Sequence, residues 1–389
     1  MNITSKSCKN PAHGEITNIV LLGEISKSNK TSHGGTGLGL IRLANALSKL
    51  VTNIEVITSH KKRLLEYSEE LSSSINIKGL GALPRSLQLL KLITLFGRSQ
   101  GCILIARNTK AIDFGLLIKR FMKDKICLIC TLHHESVVRQ EHNHRLENSK
   151  QKRFSKMAKL ADGIISVSPG LHQATLARAN FDIKRTCIIP NPAYHAPAIR
   201  EAQSAPVSRP ISNGLHLITV GRLSKEKRQD LILYALSRLI HEYKIDAYLS
   251  IIGDGSLSTE LKRLAKNLDL SERVFFRGFV QNPLAYMADA DIFVLSSDNE
   301  AFGYVLVEAL ALGLCIVSTD CPYGPRYILE NGKYGMLVQC NDSRSLTNGI
   351  TNCSKSKFDK SMLQERAREF TSDKIAKQYI DFINSICVL

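Results

Sequence analysis

Two glutamates, Glu300 and Glu308, carry the clearest chemical signal in the sequence. Glu308 is the only charged residue between positions 301 and 319, within an apolar stretch that predicts a helix over residues 303–312. Burying a polar group without a partner costs on the order of several kcal/mol, so Glu308 needs a cation, backbone amides or ligand hydroxyls such as those of a ribose. Glu300 precedes the helix, whose first N–H groups favour anions, and sugar hydroxyls suit its carboxylate. The alternative is a capping carboxylate at 300 and an internal ion pair at 308.

A basic segment follows the strand predicted at residues 215–220. It reads GRLSKEKR over residues 221–228, which puts fixed cations at the carboxyl end of that strand. A leaving nucleoside diphosphate gains negative charge in the transition state, and Arg222 and Lys227 are the cations predicted to stabilise it without a metal ion. The alternative is solvated charge at a helix start, although cations at that position oppose the helix dipole.

Two segments of the first half also follow predicted strands. Residues 34–39 read GGTGLG, and such a turn lets the backbone approach a phosphate closely; a plain turn is the alternative. The strand predicted at 126–132 is followed by His133, His134 and Glu135. A histidine there can hydrogen-bond a sugar hydroxyl or transfer a proton. Adjacent histidines point in different directions, so at most one is expected to act, and an ordinary loop histidine is the alternative.

Metal and redox sites are not expected. Asp289 and Asp291 form a D-x-D pattern, but the first closes a predicted helix and the second opens a strand. Cys127 and Cys130 form a CxxC inside an apolar strand, where their odd spacing points them to opposite faces. The ten cysteines lack the short spacings of a disulfide framework, which fits a reducing cytosol.

The order of elements predicts two doubly wound α/β lobes that face a cleft. Short apolar strands alternate with helices in a first domain, residues 1–195, and again in a second, residues 214–370. The prolines of the linker, residues 196–213, predict that it contains no regular helix. Residues 371–389 are expected to form a helix that packs back on the first domain. Ligands of such sheets bind at the carboxyl ends of strands, where the residues named above lie.

The predicted bounds are as follows. Strands are expected at residues 18–23, 54–58, 102–106, 126–132, 163–168, 186–190, 215–220, 247–253, 273–278, 291–296 and 314–319. Helices are expected at residues 38–50, 85–96, 226–243, 257–268, 303–312 and 373–386.

The chain resembles the retaining glycosyltransferases of family 4, which have the two-lobed GT-B fold. EAFGYVLVEAL looks like the E-x7-E element of that family, GRLSKEKR like its GR-x4-K element, and IIGDGSLSTELKRLA, FRGFV and NGKYGMLV like its characteristic turns. The resemblance implies a hexosyltransferase that retains the anomeric configuration and requires no metal or other cofactor. Glu308 would then hold the ribose, Glu300 the donor sugar, and Arg222 with Lys227 the diphosphate.

The same resemblance implies further contacts with the donor. Backbone amides would bind its sugar and phosphate at four consecutive residues: Phe302, Gly303, Tyr304 and Val305. His133 would lie beside the transferred sugar. Arg277 and Gly278 would face the base, and Gly35 would close over the phosphates. The catalytic residues predicted are His133, Glu300, Arg222 and Lys227. The sequence departs from many relatives at Thr36 and Gly37, where they have a small residue and Glu, and at Tyr327, where they have Glu.

The basic charge of the chain belongs to its first half. Residues 1–205 hold 30 Lys and Arg against 14 Asp and Glu, whereas residues 206–389 hold 22 against 21. In similar enzymes the first lobe receives the acceptor, and its charge suggests an anionic membrane surface contacted through residues 85–98 and the cations that follow at Lys119, Arg120, Lys123 and Lys125. The alternative is an ordinary sheet-covering helix. No apolar run reaches the roughly 18 residues of a membrane span, so the protein is expected to be cytoplasmic, either soluble or peripheral at the inner face of the cytoplasmic membrane.

The predicted activity is transfer of a hexose or N-acetylhexosamine from a nucleotide sugar, with UDP-sugars favoured, to a glycan or lipid-linked acceptor in polysaccharide or lipopolysaccharide biosynthesis. One alternative is a GT-B-fold isomerase of the nucleotide sugar, which would share the donor residues and need no acceptor. A nucleic-acid-binding protein is the other alternative. It lacks support, because the sequence has no Trp, only 6% aromatic residues and no aromatic residues alternating with basic ones on a strand.

Overall fold

A computed structural model describes most of the chain: residues 16, 18–23, 35–58, 72–80, 85–97, 101–133, 144–211, 213–356 and 358–387. Within these ranges the chain forms two parallel sheets, of seven and six strands. The first lobe contains β1 (Asn18–Leu22), β2 (Asn53–Thr58), β3 (Asn76–Gly79), β4 (Cys102–Ala106), β5 (Ile126–Leu132), β6 (Gly163–Ser166) and β7 (Thr186–Ile188). The second contains β8 (Leu215–Val220), β9 (Ala247–Ile252), β10 (Val274–Gly278), β11 (Ile292–Leu295), β12 (Cys315–Thr319) and β13 (Met336–Val338).

Helices cover both faces of each sheet. Those of the first lobe and the linker are α1 (Gly35–Leu47), α2 (Arg85–Gly97), α3 (Thr109–Met122), α4 (His144–Leu160), α5 (Pro169–Leu176) and α6 (Ala196–Ser204). The second lobe adds α7 (Gln229–His241), α8 (Ser258–Asn267), α9 (Pro283–Met287), α10 (Tyr304–Leu312), α11 (Pro325–Ile328), α12 (Ser343–Lys355), α13 (Lys360–Arg368) and α14 (Ser372–Cys387). Among these elements, no helix is long and apolar enough to cross a membrane.

The strand orders confirm the prediction of two doubly wound lobes. They are 3-2-1-4-5-6-7 in the first sheet and 10-9-8-11-12-13 in the second. Central strands such as β4 and β9 are buried along their whole length, as expected where helices cover both faces of a parallel sheet. Cys130 packs on one side of the first sheet and Cys127 on the other, which confirms that the CxxC pair is divided between opposite faces.

Several local predictions were wrong. The linker contains the helix α6, because Pro197 lies in its first turn, where a proline sacrifices no intrahelical hydrogen bond. The short strands β3 and β13, of four and three residues, were not predicted. Helix α7 begins at Gln229 rather than at position 226, because Arg228 has a left-handed backbone, with φ of 50°, that breaks the helical turn before it.

The lobes are joined where the chain crosses between them. The backbone amide of Ala193, a few residues after β7, donates to the carbonyl of Phe370 at 3.1 Å. The chain then returns to the first lobe as α14, which packs against α1. Tyr379 of α14 is 1% exposed and belongs to the same apolar core as α1. The carboxyl ends of both sheets are thereby held near this junction.

Candidate functional site

The loop between β11 and α10 places Glu300 next to a lysine. The carboxylate of Glu300 accepts hydrogen bonds from the ammonium group of Lys227 and from the Ser297 hydroxyl, the latter at 2.9 Å. The Lys227 and Glu300 side chains are only 24% and 12% exposed. Two sequence segments that are 73 residues apart thus meet at one half-buried ion pair at the start of α10.

The backbone around Lys227 is fixed against the same loop. Residues 225–227 form one turn of 3-10 helix, and the Ser296 hydroxyl donates to the carbonyl of Lys227 at 2.7 Å. The amide of Asp298 donates to the carbonyl of Glu226 at 2.9 Å. These bonds hold the basic segment against the loop that carries Glu300. Arg222 instead extends into solvent, 65% exposed, and pairs with Glu226 at 2.8 Å.

Helix α10 begins immediately after this pair. Gly303 is its N-cap and has φ of +99°, a backbone conformation that glycine adopts readily. The Phe302 side chain is buried and stacks edge-on against Phe370, with ring centroids 5.6 Å apart. Tyr304 and Val305 open the helix, where backbone N–H groups lack intrahelical partners. The terminus therefore combines anion-favouring amides with the Lys227–Glu300 pair.

Glu308 lies one turn further along α10 and faces a cation from the other lobe. Burial raises the pKa of the Glu308 carboxyl, and the Arg42 guanidinium on α1 lowers it in part. Arg42 is 8% exposed and donates to the carbonyl of Ala193 at 3.2 Å. The need of Glu308 for a cation was visible in the sequence, but the cation itself was not.

The Tyr304 side chain reaches across the junction between the lobes. A Cβ added to Gly39 of α1 would lie 2.2 Å from the Tyr304 hydroxyl. Burial raises the pKa of this phenol, and both Arg107 and Arg42 lower it in part. Arg107 directly follows β4 and is 3% exposed. The sequence analysis did not identify Arg42, Arg107 or the Tyr304 side chain. Arg107 could have been found, because it follows a parallel strand directly, as His133 does.

The other predicted residues of the first lobe also lie at that sheet edge. His133 directly follows β5 and is 6% exposed. Gly35 is the first residue of α1. His134 and Glu135 lie outside the described residues. The first lobe contacts the site loop at Ser168, whose hydroxyl donates to the carbonyl of Ala301 at 2.9 Å.

Arg277 and Gly278 end β10, two strands away from the basic segment. The Arg277 guanidinium lies 5.4 Å from the centre of the Phe275 ring, and its side chain is exposed. Gly278 accepts a hydrogen bond from the amide of Gly253 at 2.8 Å. Both residues thus lie at the carboxyl edge of the second sheet, without a hydrogen bond or ion pair to Glu300 in the part of the chain that the structure covers.

The aspartates of the D-x-D pattern bind an arginine. The carboxylate of Asp289 accepts from the amide of Arg209 at 2.9 Å, and that of Asp291 accepts from the amide of His216 at 2.8 Å. The Arg209 guanidinium also donates to both carboxylates at 3.4 Å. These bonds tie the linker to the second sheet.

The arrangement defines a class of protein: two Rossmann-like lobes that meet at their strand ends, with cations and carboxylates around one helix terminus, as in the GT-B fold. The family model of "Glycosyltransferase Family 4" matches residues 33–194, and that of "Glycosyl transferases group 1" matches residues 203–370. Together they cover most of both lobes. The chain belongs to the family 4 glycosyltransferases.

Curated relatives and solved structures resemble this chain to different extents. The N-acetylgalactosamine-N,N'-diacetylbacillosaminyl-diphospho-undecaprenol 4-alpha-N-acetylgalactosaminyltransferase of Campylobacter jejuni is 34% identical over 171 residues, 43% of this chain and 46% of the relative. The N-acetyl-alpha-D-glucosaminyl L-malate synthase of Bacillus anthracis is 32% identical over 168 residues, 42% of this chain and 43% of the relative. The chain thus spans about half the length of the curated relatives it matches. Anabaena HepE, solved in complex with UDP, has the same fold, with a TM-score of 0.74 and 21% identity over 95% of this chain and all of that one.

Proposed function

We propose that this protein transfers a hexose or N-acetylhexosamine from a UDP-sugar to a glycan or lipid-linked acceptor, with retention of the anomeric configuration. The observation that carries the proposal is the Lys227–Glu300 pair at the amino terminus of α10, one turn before the half-buried Glu308. A diphosphate at this terminus would meet free amides and the Lys227 ammonium, while carboxylates on either side would accept bonds from sugar and ribose hydroxyls.

The leaving group can be stabilised by the chain's own cations. Lys227 is positioned by its bond to Glu300 and by its backbone, so it can neutralise charge that develops on a departing diphosphate without large rearrangement. Arg222 is 65% exposed, and its guanidinium would have to break its ion pair with Glu226 before it could bind the phosphate. We propose that transfer therefore requires no metal ion.

The relatives support the choice of donor and acceptor. HepE was solved with UDP and with UDP and glucose, which favours a UDP-sugar here. The Campylobacter relative is named for a diphospho-undecaprenol acceptor, and a Rhizobium meliloti relative, 29% identical over 174 residues, for lipopolysaccharide core biosynthesis. These names favour a lipid-linked acceptor in polysaccharide or lipopolysaccharide assembly.

The activity can be tested with a panel of UDP-, GDP- and ADP-sugars, each incubated with and without a lipid-linked glycan acceptor. We expect acceptor-dependent release of UDP, unaffected by EDTA, and a product whose anomeric configuration by NMR matches the donor. Conversion of the donor alone into an epimer would instead identify an isomerase. Absence of binding to every nucleotide sugar, combined with a salt-sensitive shift of labelled RNA, would identify a nucleic-acid-binding protein.

A membrane-bound acceptor would require the first lobe to approach the bilayer, and we propose that α2 and α3 provide that surface. These neighbouring helices expose Leu90 and Phe121 by 59% and 62%, and Leu87 and Leu117 by 48% and 40%. Lys91 lies on the same exposed face of α2. Each basic residue near an anionic leaflet contributes about 1 kcal/mol, so apolar insertion and charge act together.

Vesicle flotation tests this surface. We expect the protein to float with vesicles containing phosphatidylglycerol and less with neutral phosphatidylcholine, and the double variant Leu90→Ser/Phe121→Ser to lose this binding. Leu50→Ser is the matched control, because Leu50 is 53% exposed but lies elsewhere, just after α1. Equal recovery with both lipids, or an undiminished double variant, would contradict membrane docking here.

A further inference from the structure

The junction between the lobes contains two buried guanidinium groups with incomplete hydrogen bonding. Both terminal nitrogens of Arg107 are buried and make no hydrogen bond within the described part of the chain, and neither does the Nε of Arg42. The two residues are 3% and 8% exposed. The Tyr304 hydroxyl beside them is likewise buried without a hydrogen bond in the described residues. Leaving several such groups unpaired is unusual in a protein interior and calls for a specific explanation.

The charges at this junction are also unbalanced. Arg42 acts on the Glu308 carboxylate, and both arginines act on the Tyr304 phenol. Among the residues that the structure describes, Glu308 is the acidic side chain on which Arg42 acts, and the terminal nitrogens of Arg107 bond to no carboxylate. A buried charge without a counter-charge is costly. The imbalance favours an anionic group supplied from outside the chain.

The position of Arg107 indicates which lobe such a group would contact. Arg107 follows β4, and His133 follows the neighbouring strand β5, so both lie at the carboxyl edge of the first sheet. Tyr304 belongs to the second lobe, and its hydroxyl lies close to Gly39 of α1 within the electrostatic reach of both arginines. Separation of the lobes would uncover the two guanidinium groups on the side assigned to the acceptor.

We infer that Arg107, assisted by Arg42, binds an oxyanion of the acceptor, a phosphate or carboxylate group close to the sugar that receives the transfer. A guanidinium suits this ligand because its parallel N–H groups donate to two oxygens at once. The inference rests on the proposed glycosyl transfer, and it adds that the acceptor is negatively charged near its reacting end.

Phosphorus NMR can test the site with inorganic phosphate as the probe, added to the full chain with and without saturating UDP. We expect the phosphate signal to broaden in both cases. At saturating UDP, which fills the proposed donor site, Arg107→Gln should weaken the remaining binding at least about tenfold, as for loss of a charged hydrogen bond. Arg107→Lys should retain partial binding, because it keeps the charge but not the planar fork. Arg273→Gln is the matched control, because Arg273 pairs with Asp246 at the surface of the second lobe.

The phosphate-binding results distinguish an acceptor site at Arg107 from a donor site and from no anion site. Undiminished phosphate binding by a folded Arg107→Gln variant, verified by circular dichroism, would overturn the inference, as would absence of any phosphate binding by the wild type. Loss of all phosphate binding at saturating UDP would overturn the assignment to the acceptor and give the arginines to the donor diphosphate, whereas partial displacement is expected because UDP fills the proposed donor site at α10. The UDP signals in the same spectra report donor binding separately, so failure of the proposed function would appear as wild-type protein that binds phosphate but not UDP.

Discussion

The contact between Gly39 and Tyr304 gives a direct test of how the lobes meet. An ideal Cβ at position 39 would lie 2.2 Å from the Tyr304 hydroxyl oxygen and 3.1 Å from its ring carbon Cζ. Ordinary contacts begin near 3.4 Å, so Gly39→Ala forces the phenol to move by more than 1 Å. Overpacking of this kind costs roughly 1–3 kcal/mol.

A matched glycine lies in the same helix. A Cβ at Gly37 meets nothing within 4 Å, so Gly37→Ala should gain roughly 0.5–1 kcal/mol of helix stability. Gly39→Ala brings the same gain in helix stability. The free energies of unfolding of the two variants should therefore differ by about the cost of overpacking alone. Adding Tyr304→Phe to Gly39→Ala removes the closest atom and should recover much of that difference.

Urea denaturation of the single and double variants, monitored by circular dichroism, measures these differences. Small-angle scattering of each folded variant reports whether the lobes have separated. Equal stability of Gly39→Ala and Gly37→Ala, with unchanged scattering, would refute a close contact between α1 and Tyr304. Failure of Tyr304→Phe to recover Gly39→Ala would show that another neighbour causes the clash.

Three further predictions concern titratable groups. Because burial raises the pKa of Glu308, the ligand-free wild type should lose stability as the pH rises from the ordinary glutamate value through the raised one. Glu308→Gln should lack this pH-dependent loss, and identical pH profiles of the two proteins in denaturant titrations would contradict the prediction. Lys227→Met removes a positioned cation, so kcat/KM for sugar transfer should fall by about 10²–10³-fold. An unchanged rate would exclude Lys227 from the reaction. Because Glu300 is only 12% exposed and loses its ion-pair partner in this variant, circular dichroism would verify that the protein remains folded. The Cys353 thiol lowers the pKa of the Cys315 thiol, so iodoacetamide should alkylate Cys315 at lower pH than an ordinary thiol. Cys353→Ala, which removes the donor, should shift this alkylation to higher pH, and an unchanged pH dependence would argue against the interaction between the two thiols.

The fold was predictable because its signals are local. Apolar strands alternating with helical stretches required no knowledge of distant contacts, and Glu308 stood out because its neighbours over residues 301–319 carry no charge. The failure to predict helix α6 also has a local cause. The prolines of the linker were taken to forbid a helix, but Pro197 lies in the first turn of α6, where proline is tolerated.

The partners within the site were not predictable in the same way. Lys227 and Glu300 are 73 residues apart, and Arg42 reaches Glu308 only because α14 and the linker hold α1 against the second lobe. Such pairs depend on how strand ends are brought together in three dimensions. Sequence spacing identified the charged residues but could not assign their counter-charges.

If Lys227, Glu300 and Glu308 surround the nucleotide sugar, the affinity for the donor should depend on these side chains. Isothermal titration with UDP-sugars should give specific binding to the wild type and to the surface control Glu242→Ala, whose side chain is 57% exposed and pairs with Arg238. Glu308→Ala should weaken binding of every UDP-sugar by about tenfold or more, because bonds from the ribose hydroxyls to a carboxylate are lost. Wild-type affinity in a folded Glu308→Ala variant would contradict the placement of the donor ribose at Glu308.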